Sequence, residues 1–117
     1  MTTSPVRPGR ILAAVVQMSS TAHVDRNLTA AERLVAQAAD RGASFIGLPE
    51  NFAFLRSAGD PMPEPQAMDG PWVRRMADLA RRHRVTLLLG SLPEKSDQEG
   101  KVHNTSVLLG PDGGVVA

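Results

Sequence analysis

The chain has 117 residues, 42% hydrophobic and 21% charged, with a net charge of +1. These proportions exclude a disordered or polycationic chain, and the length suits one domain rather than two. These residues include no cysteine, so disulfides, thiolate metal sites and a cysteine nucleophile are excluded within them.

Residues 1–9 carry Pro5 and Pro8 and read as a flexible N-terminal tail, with one domain expected over 10–117. Ile11 to Met18 is a short, almost continuous apolar run and reads as a strand buried on both faces. Arg7 and Arg10 ahead of it imitate a secretory leader, but the apolar run stops at Gln17, short of the ~7–15 residues such a leader needs. No run approaches the ~18 residues of a membrane span.

Asp25 to Arg41 has helical spacing, with Leu28, Ala31, Leu34, Val35, Ala38 and Ala39 on one face. Asp25 is the expected cap and Gly42 the expected stop. Thr29 with Glu32 imitates a capping box but lies inside the helical pattern. Ser44 to Leu48 reads as a second strand, ended by Pro49. Residues 56–70 contain Pro61, Pro63 and Pro65 and form a loop long enough to serve as a lid or binding loop. Pro71 to Arg84 reads as a second helix, with proline tolerated at its first turn and Trp72 and Met76 on its core face.

Val85 to Leu89 is a third strand closed by Gly90, followed by a polar loop at 93–101. Val102 to Leu109 reads as a fourth strand. Pro111-Asp112-Gly113-Gly114 is a turn signal, and Val115 to Ala117 look like the start of a fifth strand. Strands alternating with helices give an α/β layer structure, and the closing hairpin makes its sheet mixed.

Glu50 stands two residues beyond the second strand. Ligands in open α/β sheets bind outside the carboxyl ends of strands, so a carboxylate fixed there by Pro49 is a candidate general base. Phe52 and Phe54 would give it a partly apolar pocket. The position alone leaves open the alternative of an ordinary exposed loop glutamate. Arg74, Arg75, Arg81, Arg82 and Arg84 read as a solvated helix face rather than a nucleic-acid patch, because the net charge is so small. His23, His83 and His103 lack metal-ligand spacing.

An ordered set of motifs carries more weight. Ala14-Val15-Val16-Gln17-Met18 opens it, then Asn27-Leu28, Ala39-Asp40-Arg41-Gly42-Ala43 and Leu48-Pro49-Glu50-Asn51-Phe52. Gly90-Ser91, His103-Asn104-Thr105-Ser106 and Gly110-Pro111-Asp112-Gly113 follow. From about Arg10 to the last residue this set resembles the N-terminal portion of the nitrilase superfamily, the carbon–nitrogen hydrolases. The branch it most resembles contains omega-amidase and deaminated glutathione amidase.

The resemblance implies part of an α-β-β-α sandwich, incomplete here, with helices on one face of a mixed sheet. It implies hydrolysis of non-peptide carbon–nitrogen bonds by a Glu-Lys-Cys set in which Glu50 is the first member. Phe54 and Asn104 are secondary candidates for substrate binding. It also implies no metal or organic cofactor, a small-molecule amide substrate, a homo-oligomer when complete and a cytoplasmic location, with no nucleic-acid or membrane partner. The family lysine follows the hairpin, so Lys95 and Lys101, which precede it, read as solvated charges. His103 departs from the aromatic residue more usual before the asparagine. The expectation is therefore the front of an amidase-type hydrolase, inactive by itself. The alternative is a non-catalytic binding or assembly module formed from half of a hydrolase fold.

Overall fold

The computed structural model describes residues 7–117. Most of the tail expected at 1–9 lies outside the described residues. Six elements follow in chain order: β1 (Leu12–Val15), α1 (Val24–Asp40), β2 (Ala43–Gly47), α2 (Pro71–His83), β3 (Thr86–Lys95) and β4 (Val102–Leu109). They form one sheet in the order β1-β2-β3-β4. The first two pairings are parallel and the last antiparallel, so the sheet is mixed as expected.

This order decides where the helices go. Each parallel pair needs a crossover, and right-handed crossovers between successive neighbours fall on one side of a sheet. Both helices therefore cover the same face. Leu28, Ala31 and Val35 of α1 and Val73, Met76 and Leu79 of α2 are buried there with Ile46, Leu87, Leu89, Val107 and Leu109 of the sheet. The result is two layers, half of the expected sandwich. The other face carries the register Val15–Gly47–Leu88–Leu108, and none of these residues is buried.

That one-sidedness corrects the first strand. Ile11 to Met18 is not buried on both faces: only Leu12–Val15 pairs, and Val15 is 94% exposed. The strand is the sheet's edge. Ala14, Val16 and Met18 pack partly against the core, while the alternate side chains point to the uncovered face. A continuous apolar run thus marks two faces of which the described residues cover only one.

The start of α1 also differs. Its N-cap is His23, with no side-chain cap bond, and Asp25 lies in the first turn. Asp25 is two residues too far along to cap, although its charge still suits a helix N-terminus. Gly42 stops the helix as expected, at φ 95°. Thr29 lies inside the helix, as expected. Pro71 opens α2, and Arg84 closes it in the left-handed region, so Arg84 caps the helix rather than extending it. The arginine-rich face is more than a solvated surface. Arg75 donates from Nε and Nη2 to Glu32 Oε1 at 3.1 and 2.5 Å, joining α2 to α1. That hydrogen bond holds the Arg75 guanidinium above its ordinary pKa. Arg81 pairs with Asp78 within α2.

β3 runs five residues past Gly90, where the sequence placed its end. The register shifts between Leu89 and Leu92, and the strand then continues through Pro93 to Lys95. A bulge absorbs the interruption that Gly90 signals. Pro93 is tolerated because its main chain faces Gln66 rather than β4, its carbonyl accepting from Gln66 N at 2.7 Å, so its missing N–H removes no bond of the β3–β4 ladder. The turn after β4 forms as expected, with Gly113 at φ 83°. Val115 makes a single bridge to Leu109 rather than a strand. No helix among the described residues is long and apolar enough to cross a membrane.

The two sheet faces differ in what a substitution does. Ile46 is fully buried, so Ile46→Ala lowers the unfolding free energy by about 2–5 kcal/mol. Val15→Thr, on the uncovered face, changes it by less than about 0.5 kcal/mol. Urea unfolding followed by circular dichroism measures both.

Candidate active site

β2 ends at Gly47, and the chain turns at Glu50–Asn51 at the carboxyl rim of the two parallel pairings. Leu48 is still anchored to the sheet, its N–H donating to Leu88 O at 2.8 Å. The turn follows at once because Asn51 takes a left-handed conformation, φ 54°. Asparagine adopts it more readily than most residues with a Cβ. Its N–H donates to the hydroxyl of Ser91, a buried β3 residue, at 2.9 Å.

Glu50 projects from this turn and is exposed. Asn104 of β4 donates from Nδ2 to Glu50 Oε1 at 3.2 Å. The structure thus brings together two sequence-predicted residues 54 positions apart. Phe54 is half-buried and lines an adjacent cleft of about 270 Å³ with Asn51, Asn104, His103 and Arg56. Phe52 does not flank Glu50: it is fully buried beneath the turn, because its side chain follows the core face. The apolar walls near Glu50 therefore come from Phe54, Leu55, Pro93 and Val102 of the adjacent cleft and not from Phe52. Lys95 is exposed near the end of β3, consistent with a solvated charge. No group of three or more metal-ligating side chains converges among the described residues.

A polar lock that sequence reasoning missed holds the far side of the turn. Asn27 is only 3% exposed. Its Nδ2 donates to Ala53 O at 2.8 Å and Thr21 O at 2.7 Å, and its Oδ1 accepts from Thr21 N at 3.0 Å. Ser20 Oγ donates to Phe52 O at 2.7 Å. Backbone groups of the 52–53 segment are thereby tied to α1 and to the strand-to-helix link. The available signal was an asparagine beside Leu28 on the apolar stripe of α1, a position that only a fully bonded polar group can hold.

Three comparisons bear on this arrangement. The family model described as carbon–nitrogen hydrolase matches residues 12–117. The deaminated glutathione amidase of Synechocystis sp. is 37% identical over 103 residues, covering 87% of this chain. The omega-amidase NIT2 of Mus musculus is 30% identical over 103 residues, covering 88% of it. The chain spans 38% of the first relative's length and 37% of the second's. Among solved structures, the NitFhit protein of C. elegans superposes with a TM-score of 0.79 at 26% identity, over all of this chain and 28% of its own. An amidase from Nesterenkonia sp. shares the fold, with a TM-score of 0.72 at 22% identity, over 96% of this chain and 43% of its own.

Removing the Asn27 side chain strands an amide and two carbonyls in or near the core. Asn27→Ala is therefore expected to cost about 2 kcal/mol or more, read as a fall in the urea midpoint.

Proposed function

We propose that this chain, which belongs to the carbon–nitrogen hydrolase family, is the Glu-bearing part of an amidase-type hydrolase in which Glu50 is the general base. The observation that carries the reading is the carboxylate held at the carboxyl rim of β2, with one oxygen engaged by Asn104 and the cleft lined by Phe54 beside it. Family membership and amidase relatives support the chemistry.

In that chemistry Glu50 takes the proton of a cysteine thiol as the sulfur attacks the amide carbon. A lysine and a backbone N–H stabilise the oxyanion of the tetrahedral intermediate. Ammonia leaves with the proton that Glu50 returns. Glu50 then removes a proton from water as the water attacks the thioester, and the carboxylic acid and free thiol are released. Residues 1–117 contain no cysteine, so they supply the base and not the nucleophile. The substrate in this reading is a small-molecule amide, handled without metal or organic cofactor by a homo-oligomer. A free catalytic thiol suits a reducing compartment, which supports the cytoplasm.

The uncovered sheet face, with Val15 94% exposed, favours a second reading as a non-catalytic assembly module. Sedimentation of residues 1–117 tests it: a stable monomer counts against that reading.

Two outcomes are expected. Residues 1–117 alone release no ammonia from any amide; release that disappears in Glu50→Gln would overturn the assignment. In a polypeptide that joins these residues to the family's lysine and cysteine, Glu50→Gln lowers kcat/KM by about 10²–10⁴-fold, measured by ammonia release.

A further inference from the structure

We infer that the β-bulge at Gly90–Ser91 is a positioning device for Glu50, with Ser91 as its positioning residue. The inference rests on the reading of Glu50 as base and adds what aims it.

Three observations converge on the bulge. The β3–β4 register shifts between Leu89 and Leu92, so Gly90 and Ser91 fall outside the regular ladder. An unbroken alternation would bury every second residue, yet Leu89, Ser91, Leu92 and Pro93 are all buried. Ser91 keeps the inward alternation of Leu87 and Leu89, next to the exit of β2, and the extra residue brings Leu92 to the buried side one position early. Bulges re-aim the strand beyond them, here the segment that pairs Leu92 with Thr105 and Pro93 with Asn104, and they gather beside active sites.

Gly90 makes the approach possible. A Cβ there would lie 2.5 Å from Pro49 O and closer still to Leu48 O. The segment leading to Glu50 therefore lies directly on the bulge. Ser91 Oγ then accepts the Asn51 N–H, which fixes the left-handed residue immediately after Glu50. The two atoms belong to residues 40 positions apart, so this is a tertiary contact and not part of a local turn.

β4 completes the device. Its partner register resumes at Leu92↔Thr105 and Pro93↔Asn104, just beyond the bulge. That places Asn104 where its Nδ2 reaches Glu50 Oε1. The ladder that sets Asn104 and the bulge that sets Asn51 share one strand. The carboxylate is thus aimed from both ends by β3 and β4 rather than by its own strand.

The test is nuclear magnetic resonance of the isotopically labelled 117-residue chain. In the unmodified chain the Asn104 side-chain amide signals move as Glu50 takes up a proton, and Glu50→Gln abolishes that movement. Ser91→Ala is expected to lose the movement while the Ile46 and Leu87 methyl signals stay in place. Ser91→Thr, which keeps the hydroxyl, is expected to restore it. Retention of the movement in Ser91→Ala, or its loss in Ser91→Thr, would overturn the inference. Should Ser91→Ala fail to fold, hydrogen exchange of the unmodified chain decides. The Asn51 amide is expected to exchange far more slowly than that of exposed Glu99, and equal rates would sink the idea. Neither readout measures turnover, so failure of Glu50 as a base would appear separately.

Discussion

The backbone of Leu48 and Pro49 crosses Gly90 at a distance that leaves no room for a side chain on β3. Packing of that kind does not yield by small adjustment, because the atoms opposed are main chain on both sides. It fixes how β2 leaves the sheet, and hence where Glu50 begins. β2 and β3 must pair in parallel for their ends to meet there, and Leu48 N donating to Leu88 O continues that pairing to the last residue before the turn.

Parallel pairing in turn requires the crossovers α1 and α2, and these lie on one side of the sheet. The buried faces of Ile46, Leu87, Leu89, Val107 and Leu109 follow from that arrangement, as does the half-open face bearing Val15, Leu88 and Leu108. Arg75 and Glu32 link the two helices where the apolar contact ends, and at roughly one-third exposure such a pair contributes little to stability. Apolar burial against the sheet carries the packing. The buried bonds of Asn27 then transmit the position of α1 to the 52–53 segment, just beyond the turn that bears Glu50.

Much of this was legible in the sequence, for reasons that differ by element. α1 and α2 show in the 3.6-residue spacing of Leu28, Ala31, Val35 and of Met76, Leu79, Ala80, and Gly42 and Pro71 punctuate them. The position of Glu50 at a strand exit follows from an apolar run closed by proline. The far half of β3 was hidden because Gly90 and Pro93 are local signals for ending a strand, and only pairing with β4 and Gln66 overrides them. The exposure of β1 was illegible because hydrophobicity records that a face avoids water, not what covers it. The roles of Ser91 and Asn27 were likewise out of reach: each depends on partners tens of residues away, and neither motif around them states its contacts.

An exposed glutamate at first looks poorly suited to be a base, since burial is the usual route to a reactive carboxylate. Orientation is a separate requirement, and exposure does not prevent it from being met. A freely rotating glutamate spreads its carboxylate over several rotamers, and only those facing the reacting proton contribute. Here the residue after Glu50 is fixed by Ser91, the residue before it is a proline seated on Gly90, and one carboxylate oxygen is engaged by Asn104. Oε2 accepts no hydrogen bond among the described residues and has lone pairs free for a proton. The scaffold therefore supplies direction, and the water exclusion that would complete a reactive site has to come from whatever covers the open side of the cleft.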